Sequence, residues 1–303
     1  MREFFLGLLV LLLAGVLYWA LSGRKVENFL NPLEPFFEGA VQPRPTPSVT
    51  PSPRVSGRFS VASFNVHFGY EAEKIAPTLV ANGMGEADII LLQESNETTA
   101  VKVSRALHMA YAYYPAAVHP TSKDLFGVAI LSRWPILAHR KILLPDKSYF
   151  DAARKAGIVA VINVDGVPIK VVSVHLQSGM LESGYKDQIK SLVECVTEDD
   201  CHNDGHAKAL PESRATVFGG DFNTWRGSLV EPLMSRMDKA SMKRVGGIES
   251  TFSKDMSKEP KTRYTFDYFF ATPGIVAGPG RVGTDRTGSD HYPIAADFLL
   301  PRQ

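Results

Sequence analysis

Asp221 and Asn223 are the first residues of this chain whose types and spacing suggest chemistry. They close the stretch Val217-Phe218-Gly219-Gly220-Asp221-Phe222-Asn223-Thr224-Trp225. An apolar lead-in that breaks into two glycines and then a carboxylate and an amide reads as a buried strand ending in a site. Two apart on a strand, both side chains leave the same face. A carboxylate that accepts from water or a nucleophile, beside an amide that donates to a phosphoryl oxygen, suits work on a phosphate. Gly, Asp and Asn are also the commonest turn residues, so this stretch alone leaves a turn equally open.

Four other places share the layout of an apolar run ending in polar groups. Asn65 lies on the polar face of 59–68, where Val61, Ser63, Asn65 and His67 alternate with Ala62, Phe64, Val66 and Phe68. Glu94 closes Asp88-Ile-Ile-Leu-Leu-Gln93-Glu94. His175 ends Val172-Ser-Val-His175, and Asp290-His291 precedes the last apolar run. Singly, each has an ordinary explanation: Glu94 could cap the following helix, Asn65 could begin a turn, and His175 could be structural. Asp267 sits inside the aromatic run Thr265-Phe-Asp267-Tyr-Phe-Phe270. A buried lone carboxylate there would cost several kcal/mol, so it needs a partner.

Carboxylates and an amide, with water completing the shell and no cysteine nearby, are the usual holders of Mg²⁺. A histidine next to an aspartate, with a second carboxylate buried elsewhere, supplies a base whose ring is oriented by a hydrogen bond.

Around these residues the pattern predicts strands at 59–68, 88–94, 111–118, 126–132, 136–144, 157–164, 169–176, 217–221, 262–271 and 292–300, and helices at 71–82, 96–108, 185–196 and 229–237. Many short, antiparallel-looking strands with interspersed helices indicate an α+β fold, two mainly antiparallel sheets face to face with helices outside. No internal boundary falls within 58–303, which reads as one catalytic domain.

Residues 4–22 form an uninterrupted uncharged apolar stretch, flanked by Arg2, Arg24 and Lys25, with Tyr18 and Trp19 near one end. That length crosses a bilayer as a helix. A cleaved signal peptide is the alternative, but the run is long and the cleavage signal at Ala20-Leu21-Ser22 is poor. Residues 1–25 are therefore expected to be a single-pass transmembrane anchor. Residues 26–57, with Pro32, Pro35, Pro43, Pro45, Pro47, Pro51 and Pro53, read as an extended linker.

The chain of 303 residues has 33 Lys+Arg and 32 Asp+Glu, a formal net charge of +1. The segment 58–303 carries 28 of each sign, so no global field draws it to nucleic acid. Cys195 and Cys201 flank an acidic loop. They could form a small disulfide if the domain lies outside the cytoplasm, and otherwise remain two thiols. Arg24 and Lys25 argue for a cytoplasmic domain, the cysteine pair for an external one. The expectation adopted is a membrane protein with its catalytic domain outside the cytoplasm.

In order, SFNVHF, DIILLQES, FGVAILSRWPI, VVSVHLQ, FGGDFNTW, TFDYFF and GSDHYPIAADF resemble the endonuclease/exonuclease/phosphatase superfamily of divalent-metal phosphodiesterases, related to DNase I, exonuclease III and sphingomyelinases. The resemblance covers roughly 58–300 and, with the apolar N-terminus, looks like a membrane-anchored bacterial branch. It implies a four-layer sandwich with its site at one edge of the sheets. It implies Glu94 as principal metal ligand, with Asn65 and Asp290 beside the metal, which would be Mg²⁺ or alternatively Mn²⁺. His291 would take a proton from the attacking water and Asp267 would orient its ring. Asp221 and Asn223 would position water and a phosphoryl oxygen, and His175 would donate to the phosphate. A further phosphate-binding Tyr or Arg is common in the family, and Tyr149 and Arg154 are the candidates here.

The expected function is Mg²⁺-dependent hydrolysis of phosphoester bonds by a membrane-tethered enzyme. The substrate is undecided between nucleic acid and a lipid headgroup, no obligate protein partner is implied, and an inactive binding module is the remaining alternative.

Overall fold

The structure, a computed structural model, describes residues 36–40, 57–119, 123–145, 153–178, 182–198, 210–255 and 263–300. The apolar stretch 4–22 lies outside them, as do Tyr149 and Cys201. Among the described residues no helix is long and apolar enough to cross a membrane.

The strands, in chain order, are β1 (Phe37–Gly39), β2 (Arg58–Asn65), β3 (Ile89–Ser95), β4 (Ala110–Val118), β5 (Leu125–Ser132), β6 (Ile136–Leu143), β7 (Ala156–Val164), β8 (Val167–His175), β9 (Thr216–Asp221), β10 (Lys243–Arg244), β11 (Asp267–Ala271), β12 (Val276–Ala277), β13 (Arg281–Val282) and β14 (Ile294–Leu299). The helices are α1 (Ala72–Ala81), α2 (Glu97–Leu107), α3 (Glu182–Thr197) and α4 (Val230–Lys239). One sheet has the order β1-β4-β5-β3-β2-β14-β12, with β13 also on β14; the other has the order β10-β11-β9-β8-β7-β6.

Both sheets are mixed. Most neighbours are antiparallel, but β2 pairs β3 in parallel and β8 pairs β9 in parallel. A parallel pair needs a crossover, and α1 and α3 supply the two. The continuous apolar run of β3 fits this position, since it is covered on both faces. Ile89 and Leu91 enter the core between the sheets, while Ile90 and Leu92 pack under α1 and α2 with Ile75, Leu79, Ala100 and Val103. The outer face of the second sheet is likewise covered by Tyr185, Ile189 and Leu192 of α3 and Leu233 and Met237 of α4. The result is the expected helix-sheet-sheet-helix layering.

Local chemistry fixes the element ends. Asn96 caps α2 by accepting from the Thr99 backbone N–H at 2.8 Å, and His108 in the left-handed region (φ 54°) ends that helix. Cys195, on the buried face of α3, is disulfide-bonded.

Gly219 and Gly220 lie inside β9, which answers the open question of a turn. A Cβ on Gly219 would come within 2.4 Å of the Phe269 ring and 2.7 Å of Leu91, on the facing sheet. Gly220 (φ +136°) runs against β8, where a Cβ would come within 2.2 Å of the Val174 carbonyl. The two glycines let the strand bearing Asp221 approach its neighbours closely.

One expectation needs correction. Within the Pro-rich stretch read as an extended linker, residues 37–39 form β1 on the edge of β4. The reason is the proline-free segment Phe36-Phe37-Glu38-Gly39-Ala40. Phe37 packs on Tyr113 at 5.8 Å between ring centroids, Phe36 on Tyr114 at 5.9 Å, and Glu38 pairs with His139 at 2.9 Å. Two aromatic side chains outweigh the surrounding prolines.

Candidate active site

Strand register collects the polar residues at one rim. In the second sheet Asp221 lies opposite both His175, across the parallel β8–β9 pair, and Asp267, across the antiparallel β9–β11 pair. In the first, Asn65 ends β2 opposite Gln93, and Ser63 faces Ile294 of β14, so the Asp290-His291 segment before β14 arrives beside Asn65. A buried polar chain links the sheets behind this rim. Ser63 Oγ donates to Gln93 Oε1 at 3.2 Å, and Gln93 Nε2 donates to Ser173 Oγ at 3.0 Å.

The backbone is bent at two of the site residues. Glu94 has φ +51° at an irregularity where β3 shifts register against β5, and Asn223 has φ +49° directly after β9. Left-handed geometry at non-glycine residues is held only where surrounding contacts over-determine it. At Asn223 those contacts are its backbone N–H to Asp221 Oδ1 at 2.8 Å and its Nδ2 to the Leu176 carbonyl at 2.8 Å.

His291 is buried, and its Nδ1 lies 2.9 Å from Asp267 Oδ2. Its Nε2 lies 3.7 Å from Asp221 Oδ2 and 4.0 Å from Asp290 Oδ1. Burial pulls the imidazole pKa down, but Asp267, Asp221 and Asp290 together push it up to about 10. Asp267, which needed a partner, has one, and its backbone N–H is also bonded to Thr251 Oγ1 at 3.1 Å.

Asp221 is buried at the centre. Its Oδ2 accepts from Asn65 Nδ2 at 3.0 Å and from Asn223 Nδ2 at 3.2 Å. Burial raises its pKa, opposed by His291 and by these donors. His175 Nε2 lies 3.5 Å from Glu94 Oε1 and 3.6 Å from Asp221 Oδ2. Burial, with Lys155 adding, drops its pKa well below the ordinary histidine value, so it is neutral at pH 7. His67 Nδ1 pairs with Asp290 Oδ1 at 3.1 Å, a bond that raises the His67 pKa. At Asp290 burial acts upward, but His67 and His291 bring the pKa below the usual carboxylate value.

A cleft of about 460 Å³ opens on this cluster, lined by Glu94, Asp221, Asn223, Asp290 and His291 among others. Asn65, His175 and Asp267 are buried behind that lining. All eight residues picked from the sequence thus fall in one cluster.

Lys155 was missed. Its Nζ is 3.5 Å from Glu94 Oε1 and 5.0 Å from the centroid of the Phe126 ring. Of the mid-chain candidates, Arg154 instead donates to the Leu144 carbonyl at 3.2 Å. The signal lies in topology: Gly157 pairs with Val174, so the cation preceding β7 must arrive beside His175.

The donor set fits a hard divalent cation. Glu94, Asp221, Asp267 and Asp290 place four carboxylates at one rim, and their neutralisation by protein falls to Lys155 and to protonated histidines. Glu94 and Asp290, which line the cleft, offer oxygen donors, the type Mg²⁺ takes. Among the described residues Asp221, Asp267 and His291 also bring ligand atoms within 4.8 Å of one another. A cation there would compete with the 2.9 Å bond between Asp267 and His291.

A family model described as Endonuclease/Exonuclease/phosphatase family matches residues 62–291. The chain is similar to YbhP of Escherichia coli strain K12, an uncharacterized protein, with 27% identity over 272 residues, 80% of this chain and 96% of YbhP. Its fold is similar to the crystal structure of an endonuclease/exonuclease/phosphatase from Beutenbergia cavernae (TM-score 0.60, 17% identity, 80% of this chain and 72% of that one). It is also similar to a Bacteroides thetaiotaomicron mannosyl-6-phosphatase (TM-score 0.59, 16% identity, 80% of this chain and 99% of that one).

Proposed function

The chain belongs to the Endonuclease/Exonuclease/phosphatase family, a membership that supports a phosphoesterase-type hydrolase, and from that premise we propose that it is a divalent-metal-dependent phosphodiesterase. The observation that carries this reading is the Asp267–His291 bond at 2.9 Å, with His291 facing a cleft that Glu94, Asp221 and Asp290 also line.

Asp267 fixes the tautomer. With Nδ1–H donated to its carboxylate, Nε2 faces the cleft; the surrounding carboxylates hold the imidazole protonated in the metal-free site, and positive charge from a bound cation would lower that pKa and free the Nε2 lone pair to take a proton from an attacking water. Asp221 orients that water, and its own position is set by Asn65 and Asn223. The Asn223 amide holds Leu176 at 2.8 Å and Asp221 at 3.2 Å, and the longer contact is the one a phosphoryl oxygen would take. His175 and Lys155 stand behind Glu94 as its positioning partners, and Lys155 adds positive charge near the phosphate. Glu94 and Asp290 would hold Mg²⁺ or Mn²⁺, with Asn65 beside them, and the cation would supply positive charge at the phosphoryl and leaving oxygens.

The apolar residues 4–22 support a tether to a membrane with 58–303 as the catalytic domain, and the disulfide at Cys195 supports placing that domain outside the cytoplasm. The test is turnover by the full-length protein of plasmid DNA, sphingomyelin or phosphoinositide vesicles and bis-p-nitrophenyl phosphate, each with Mg²⁺ and with EDTA. Metal-dependent hydrolysis lost in His291→Ala is expected. Activity unaffected by both EDTA and that substitution would remove the basis for this assignment.

A further inference from the structure

The short strand β1 stands between two parts of the chain of different character, the apolar stretch 4–22 before it and the domain 58–303 after it. Its docking draws on both sheets. Phe37 packs on Tyr113 and Phe36 on Tyr114, both of β4, at 5.8 and 5.9 Å between ring centroids. From the other sheet, His139 of β6 lies 5.6 Å from the Phe36 ring. Its Nε2 meets Glu38 Oε2 at 2.9 Å and its Nδ1 meets the Tyr114 hydroxyl at 3.1 Å. β1 is thus clasped across the edge of the sandwich, which fixes the direction in which the chain enters the domain.

That direction follows from register. β5 runs antiparallel to β3 and β4 antiparallel to β5, so β4 runs with β3 and its Val118 end lies at the rim that bears Glu94. β1 is antiparallel to β4, with Phe37 opposite Tyr113 and Gly39 opposite Tyr111. Followed backward from Gly39 to Phe37, the chain therefore climbs toward the rim. Phe36 follows Ser22 by fourteen positions, so at most about 50 Å separates the apolar stretch from β1. Tyr113 is five residues short of the β4 end at Val118, and clearing the rim takes about 17 Å of that reach. The opposite orientation would need the chain to reverse directly before Phe36 and run back past β1.

The surface on that side suits a bilayer. Among the described residues the exposed aromatic side chains are Phe36, on β1 itself, and Tyr70 and Tyr264. Both tyrosines stand at the rim. Tyr70 follows the end of β2 and lies 6.3 Å from His119, which follows the end of β4, and Tyr264 borders the hollow beside the cleft. Tyrosine joins an apolar body to a polar tip and gathers at membrane–water interfaces. We propose that β1 is an orienting strap, which keeps the cleft-bearing rim, with Tyr70 and Tyr264, turned toward the lipid bilayer that carries residues 4–22. The far end of the domain, where Val276 pairs with Leu299 and Leu299 with Arg58, then points away from it. This rests on the membrane-tether reading and is independent of the hydrolase reading.

The test uses full-length protein in phosphatidylcholine vesicles that carry an energy-transfer acceptor on a small fraction of their headgroups. Without reductant, a donor dye is attached in Lys123→Cys, in the exposed β4–β5 turn at the rim, or in Val276→Cys, at the exposed far end; among the described residues there is no free cysteine. The nine residues of β4 span about 30 Å, so the rim label should read about 30 Å nearer the bilayer than the far label. Phe36→Asp combined with Phe37→Asp removes both ring contacts and leaves the candidate site residues in place. That difference should then be lost while the unfolding transition stays cooperative. Equal distances without the strap substitutions, or the far label nearer, would overturn the proposal alone, as would a difference that persists with them. Protein that fails to float with the vesicles after a carbonate wash would overturn the tether reading and the proposal with it.

Discussion

Asn65, at the end of a strand in one sheet, donates to Asp221, at the end of a strand in the other, across 3.0 Å in the buried floor of the site. The bond closes the sandwich at the rim that bears the candidate site and also orients a carboxylate. Asn65→Ala leaves Asp221 short of a donor and should destabilise the protein by roughly 1–3 kcal/mol. The melting temperature and kcat should fall together; a variant that keeps wild-type kcat would separate Asn65 from the chemistry.

Asp267→Asn tests the tautomer. The amide can donate to Nδ1 and so turn the ring N–H toward the cleft, where a base needs a lone pair. A kcat lower by roughly 10²–10⁴ is expected, at a melting temperature close to wild type. A loss of only a few-fold would show that His291 is not the base.

The His291 pKa carries a stability signature. Its folded value, raised to about 10, lies above the unfolded value near 6.5, so the contribution is fully present below about pH 6.5 and lost as pH rises toward 10. Asp221 works in the same direction at lower pH, because burial raises its pKa and its ionisation then opposes folding. In EDTA the melting temperature should therefore fall between pH 6.5 and 9.5, and His291→Gln should flatten that slope. An equal slope in the variant would place the titration elsewhere.

Gln93 spans the two sheets through Ser63 and Ser173. Gln93→Ala opens a cavity and strands two buried hydroxyls, with roughly 1–3 kcal/mol of destabilisation expected for each stranded group. Denaturant unfolding should show a lower midpoint. An unchanged midpoint would mean that water replaces the amide in the strut.

Most of the candidate site residues were legible because they lie at one end of an apolar run, and a buried strand that starts or stops at a carboxylate, amide or imidazole leaves a local trace. Asp267 was legible for a further reason: a charge inside an aromatic strand demands a partner, and His291 supplies it. Lys155 left no such trace, since its place follows from the antiparallel register of β7 on β8, and pairing is not written in either strand alone. The stacking of Phe252 on Phe266 was hidden for a similar cause. Phe252 and Phe266 lie fourteen positions apart and stack only because a bridge sets Phe252 opposite Tyr264. In the linker, prolines masked Phe36 and Phe37, whose contacts on Tyr114 and Tyr113 create β1.

The most direct measurement is the rate of bis-p-nitrophenyl phosphate hydrolysis by the full-length protein as Mg²⁺ is titrated from EDTA, for wild type and Glu94→Ala. A saturable metal dependence in wild type, with turnover abolished in Glu94→Ala while its melting temperature in EDTA holds, is the predicted result. A wild-type rate indifferent to Mg²⁺, or a Glu94→Ala variant with the same rate and the same metal dependence, would contradict metal-assisted phosphoester hydrolysis at this site.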